Sequence, residues 1–132
     1  MLQQTALSIE DAKRVAAAAR VEAEKNGWAV VIAVLDDGGH LMHLERMDGA
    51  QKASSRIAEE KGRTAILFKR PSKAIEDAVR EGRRVMMHLP GAVPIEGGVP
   101  LIKDGQYLGG IGVSGVQSFQ DSVIAQAGAA AL

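Results

Sequence analysis

Apolar residues recur at three- and four-residue intervals through Ile9, Ala12, Val15, Ala16, Ala19 and Ala23, the spacing of a helix with one buried face. A helix is expected from Leu7 to Asn26. Ser8 and Asp11 stand where a capping box opens it, Leu7 is placed to staple onto Ala12, and Gly27 falls where a left-handed cap closes it. The pattern then changes. Trp28 to Leu35 is an unbroken, valine-rich apolar run, as in a strand covered on both faces. Asp36-Asp37-Gly38-Gly39 predicts a hairpin turn and His40 to Arg46 the returning strand. After a turn at Met47-Asp48-Gly49-Ala50, a second helix is expected from Gln51 to Phe68, with Ile57, Lys61, Thr64, Ala65 and Phe68 on one face. Pro71 ends it. Ser72 is placed to cap a third helix running to about His88, with Ile75, Val79, Gly82 and Met86 on its buried side.

The remainder is richer in glycine. Val93–Glu96 reads as a short strand, Gly97-Gly98 as a break or bulge, and Val99–Ile102 as another strand. Lys103-Asp104-Gly105-Gln106 makes a second hairpin turn. A last helix opens at Ser118, with Asp121 at capping-box spacing and Val123, Ile124, Ala127 and Ala131 inward. In the strand between, alternation puts Tyr107, Gly109, Ile111 and Val113 on one face and Leu108, Gly110, Gly112 and Ser114 on the other. That second face is almost bare, so a helix or a ligand must approach the backbone there. The order α-β-β-α-α-β-β-β-α predicts one α+β domain over residues 1–132, a central antiparallel sheet of about five strands flanked by helices.

Composition narrows the chemistry. The 132 residues carry 16 Lys and Arg against 16 Asp and Glu, and no cysteine. Disulfides, thiolate catalysis and cysteine-ligated metals are excluded, and a nucleic-acid partner is not favoured. No run approaches the roughly 20 apolar residues of a membrane helix. The opening MLQQTALSIEDAKR lacks a basic n-region and a long apolar core, so a cytoplasmic location is expected. Gly110-Ile111-Gly112-Val113-Ser114-Gly115 spells G-x-G-x-x-G, yet no second strand with an acidic residue follows it, so no nucleotide is expected. Lys61 is a cation inside an apolar stripe: either it snorkels to water or it binds an anion or acts as a general acid. His40 and His43 lie three apart on a strand and cannot together ligate one iron from the same subunit.

Arg46-Met47-Asp48-Gly49-Ala50, Ile57-Ala58 with Lys61 and Thr64-Ala65, Glu96-Gly97-Gly98-Val99-Pro100, and Ile111-Gly112-Val113-Ser114-Gly115 followed by Asp121 together resemble the GlcG/HbpS family, which includes the C-terminal domain of PduO-type proteins. The resemblance covers essentially the whole chain. It implies a profilin-like sandwich, a homo-oligomer of dimers or higher, and haem or a related tetrapyrrole as ligand, sometimes as an accessory to small-molecule catabolism. Of the three imidazoles, His40, His43 and His88, the first two are the candidate haem ligands, while His88 stands at the end of a helix. The alternative is a binder or enzyme for a small carboxylic acid, of tautomerase, isomerase or lyase type. Lys61, Glu96 and Asp121 would be its catalytic groups, and Asp48, Gly97, Gly98, Ser114 and Gly115 its binding positions. Glu96 would abstract a proton, and backbone N–H groups at Gly97-Gly98 and at the start of the last helix would hold the carboxylate. No metal site is expected. A third reading is a structural or accessory oligomer, with part of the alanine run Ala16–Ala19 facing another subunit.

Overall fold

A computed structural model describes all 132 residues. Helix α1 spans Ile9–Lys25 and buries Ala12, Val15, Ala16, Ala19 and Ala23. The Asp11 N–H donates to Ser8 Oγ at 3.1 Å and the Ser8 N–H to Asp11 Oδ2 at 2.9 Å, so the expected capping box forms. These bonds, the Ser8 N–H foremost, lower the Asp11 carboxyl from 3.8 to about 2. The hairpin follows as β1, Val31–Asp36, and β2, Leu41–Arg46. Next come α2, Ser54–Leu67, and α3, Ser72–Arg80. The chain closes with β3, Gly98–Lys103, β4, Gln106–Ser114, and α4, Ser118–Ala129.

The sheet has four antiparallel strands in the order β2-β1-β4-β3. Helices α1 and α4 cover one face, where Val30, Ile32, Val34, Ile111 and Val113 meet Val15, Ala19, Ile124 and Ala125. Helix α2 covers the other, over Val31, Ala33 and Leu35. The apolar run through β1 is therefore covered on both sides, as its unbroken pattern requires.

The fifth expected strand is absent. Val93–Glu96 lies outside the sheet; the Ile95 N–H turns back to the Val93 carbonyl at 2.9 Å, and side chains take up other backbone groups. The Val93 N–H donates to Thr64 Oγ1, Ser72 Oγ donates to the Ile95 carbonyl at 2.6 Å, and the Glu96 N–H donates to Glu76 Oε1. Pro94 has no N–H to offer a ladder. Ser72 serves this segment rather than capping α3, whose N-cap is Pro71. Helix α3 also ends early. Gly82 at φ 103° turns the chain, a conformation that costs glycine little, and a 3-10 turn, Arg84–His88, follows. Gly82 is exposed and Met86 only half-buried, so neither lies on a buried helix face. In α4 the N-cap is Gln117, not Ser118, and the buried residues are Asp121, Ser122, Ile124, Ala125 and Gly128, with Val123 exposed.

The bare face of β4 is met by a helix. Ser54, Ala58, Gly62 and Ile66 form an i, i+4 ridge on α2 that runs down β4 two residues at a time. Ser114 Oγ donates to Ser54 Oγ at 3.0 Å. A Cβ on Gly112 would lie 1.8 Å from the Ala58 carbonyl oxygen, and one on Gly110 would lie 2.3 Å from that of Gly62. The match is geometric. Four helical residues advance about 6 Å and two strand residues about 6.6 Å. The expected stripe through Ile57 and Phe68 is displaced, leaving both half-buried. A register shift also corrects the expected alternation. Leu101 pairs with Gly109 but Ile102 with Tyr107, so Leu108 is an extra residue, a β-bulge. It joins Ile111 and Val113 in the α1/α4 core. Tyr107 falls on the α2 side instead, its ring centroid 5.5 Å from Lys69 Nζ.

Gly112→Ala is expected to destabilise the fold by at least about 1–3 kcal/mol, read as a lower urea midpoint, because its Cβ would stand 1.8 Å from the Ala58 carbonyl oxygen. The Asp11 contribution is that of a depressed carboxyl. It is present above 3.8 and lost as pH falls through about 2, because the unfolded chain then binds the proton more readily. Asp11→Asn is expected to flatten the acid limb of a pH–stability profile over that window, and an unchanged limb would contradict the assignment.

Candidate functional site

Lys61 does not snorkel. It lies on α2, buried to 2% exposure, and Nζ donates to Asp121 Oδ2 at 3.0 Å and to the Val113 carbonyl at 3.1 Å. Asp121 belongs to α4, on the opposite face of the sheet. The lysine reaches it past the end of β3, whose last pair with β4 is Gly98 with Gly112. Gly97 and Gly98 clear the path. A Cβ on Gly97, at φ 133°, would stand 2.8 Å from Lys61 Nζ, and one on Gly98 would stand 2.0 Å from the Lys61 carbonyl oxygen. The pair of glycines thus admits a helix and its lysine; the sheet's irregularities lie elsewhere, at Leu108 and at Met42.

Asp121 is held from its other side as well. Its Oδ1 accepts the Val116 N–H at 3.1 Å, and the Gly115 N–H also points to the carboxylate. Burial pushes its carboxyl above the ordinary 3.8, against the pull of the Lys61 ammonium and these N–H groups. The N–H groups just ahead of α4 are therefore taken up by the chain's own Asp121 carboxylate. The Gly98 N–H is likewise engaged, by Ser72 Oγ at 2.9 Å. Ser114 is buried and bonded to Ser54.

The other positions read from the sequence lie apart from this pair. The structure brings Lys61 and Asp121 together but leaves Glu96 half-buried in a surface notch with Lys73, Glu76, Arg80 and Phe119. Asp48 is exposed in a polar cleft with Arg46 and Lys52. His40 precedes β2 and is exposed, its Nδ1 3.2 Å from Asp36 Oδ1. His43 Nε2 lies 3.2 Å from Glu45 Oε1, and Glu45 in turn accepts from Arg20 of α1.

One surface feature was not found in the sequence. Ala53, Arg56, Ile57 and Glu60 share the outward face of α2, and with Val93 and Ile95 they line an open, mainly apolar groove. The exposed flank of residues 93–95 forms its second wall. The only signal was the spacing of Ala53, Ile57 and Glu60 on the helix, and the wall itself is non-local.

Residues 7–130 match the family model described as "Haem degrading protein HbpS-like". The chain belongs to this HbpS-like family. It is 46% identical over 108 residues to Protein GlcG of Escherichia coli (strain K12), covering 82% of this chain and 81% of that one. The fold is similar to that of a double variant of HbpS from Streptomyces reticuli, with a TM-score of 0.92, 34% identity and coverage of 100% of this chain and 90% of that one. It is also similar to the crystal structure of a PduOC:Heme Complex, with a TM-score of 0.88, 34% identity and coverage of 97% and 96%. Set on the HbpS-like fold of this chain, the groove is an outer feature of α2, while the Lys61–Asp121 pair is interior.

Removing one member of that pair leaves the other charge buried alone. Lys61→Met or Asp121→Leu is each expected to cost about 3–5 kcal/mol in chemical denaturation, and the double variant to recover much of the loss. Equal and additive losses would show that the two side chains are not energetically coupled.

Proposed function

We propose that the protein binds haem or a related tetrapyrrole in the groove between α2 and residues 93–95. The observation that carries this reading is the lining itself: Ala53, Ile57, Val93 and Ile95 offer an apolar seat on the surface of a chain whose other clefts are polar. Membership of the HbpS-like family and the likeness to a haem-containing relative support it. The residues present fit the faces of a macrocycle, but not its iron. No imidazole, thioether or phenol lines the groove, so an axial donor would come from outside it. His40 is exposed with Nε2 uncommitted, but its hairpin packs beside Arg63 near the far end of α2, so it would serve this groove only from a second subunit. His43 is committed to Glu45. Haem, when bound, supplies redox-capable iron; the chain's own part is to exclude water from the ring face. We infer a structural role for Lys61 and Asp121, because both are sealed and mutually bonded.

A haemin titration followed by absorbance tests this. A saturable Soret band with a stoichiometric endpoint is expected for the wild type. Ile57→Asp is expected to weaken binding by about tenfold or more, since it puts a charge in the seat. His40→Ala should alter the band's position while leaving the endpoint in place, and His43→Ala should change neither. A saturable band indifferent to Ile57→Asp would move the site away from the groove, and an unsaturating one would remove haem altogether.

A further inference from the structure

The charges around the groove are unevenly satisfied. Glu60, the one acid in its lining, is bonded to Arg63, which also holds Glu59. Arg56, the one cation in the lining, has no ion-pair partner and no side-chain hydrogen bond within the chain. Lys52 and Arg46, in the adjoining cleft, have none either. This contrasts with the rest of α2 and with α1, where Lys13, Arg14, Arg20, Lys25 and Arg63 all face carboxylates. The Ser55 N–H donates to the Lys52 carbonyl and the Ile57 N–H to that of Ala53, so helical turn geometry begins ahead of α2. Lys52 therefore stands one turn before Arg56, on the same side. Asp48 shares the cleft with Arg46 and Lys52 and offsets one of their charges, which leaves Arg56 as the principal free cation at the edge of the apolar seat.

We propose that Arg56, assisted by Lys52, is the counter-charge for acid groups on the molecule that fills the groove. The groove then selects an amphipathic acid, a flat apolar body carrying carboxylates, over the same body with its acids masked. A guanidinium suits this task because its planar fork can hold a carboxylate through two N–H groups, and it stays charged throughout the physiological range. The inference rests on the groove as the tetrapyrrole seat and adds what that seat discriminates.

The test compares haemin with haemin dimethyl ester, titrated into the full-length protein in the same mixed solvent, with Trp28 fluorescence quenching and absorbance as readouts. The wild type is expected to bind the free acid about fivefold or more tightly than the ester, with the preference shrinking as salt is raised. Arg56→Met should bring the two dissociation constants together by weakening the acid and sparing the ester. Arg56→Lys should keep part of the preference, and Lys52→Met should lose part of it. Equal binding of acid and ester by the wild type would overturn the proposal while leaving the haem reading intact. So would an acid preference that survives Arg56→Met, or an Arg56→Met variant that loses both probes equally. If neither probe saturates, the haem reading itself fails and this inference falls with it.

Discussion

Glycines at 62, 98, 110 and 112 let the backbone of α2 settle onto the backbones of β3 and β4, with no side-chain layer between them. The contact exchanges side-chain burial for proximity, and its stabilisation comes from many close van der Waals pairs rather than from large apolar groups. It also removes side-chain freedom as a means of adjustment, since a backbone cannot change rotamer to make room. The position of α2 on the sheet is therefore fixed by the steps of the two ladders themselves.

From that position follows the ionic pair. Only a helix lying this close can send a lysine past the end of β3 to the far face of the sheet. Lys61 and Asp121 pay a large desolvation cost, and their value over a well-packed apolar pair is small or negative in stability terms. What they contribute is registry. One charge belongs to the layer of α2 and the other to the layer of α4, and the Val113 carbonyl of β4 accepts a second bond from the lysine. A shift of either helix by one residue would strand a buried charge, so the pair penalises every competing arrangement of the three layers.

Much of the fold could be read from the sequence because the deciding contacts are local. The capping box at Ser8 and Asp11, the closure of α1 at Gly27 and the turns at residues 36–39 and 103–106 each depend on a few neighbouring residues. The near-empty face of β4 called for a helix or a ligand against the backbone, and α2 is what fills it. Other features depend on distant partners. The bulge at Leu108 reverses the faces of Tyr107 and Leu108, and nothing in a period-two pattern marks where an extra residue enters. Val93–Glu96 has the composition of a strand but finds hydroxyl groups of Thr64 and Ser72 before it finds a ladder. In the sequence Lys61 and Asp121 group with Glu96 as catalytic candidates, but the sealed pairing of the first two across the sheet, without Glu96, could not be seen without the layer order. The groove depended on the misplaced strand, because its wall exists only where residues 93–95 leave the sheet.

The two sides of α2 differ in how freely they can vary. Inward, residues 58 and 62 admit almost nothing larger than what is there, and a change at either must be matched on β3 or β4. Outward, Ala53, Arg56, Ile57 and Glu60 face Val93 and Ile95 across an open groove, so substitutions there leave the seating of the helix on the sheet unchanged. One helix thus combines a frozen surface with a permissive one, separated by half a turn. A lineage carrying this fold can exchange one bound molecule for another by drift on the permissive side, step by step, with the scaffold held constant beneath it.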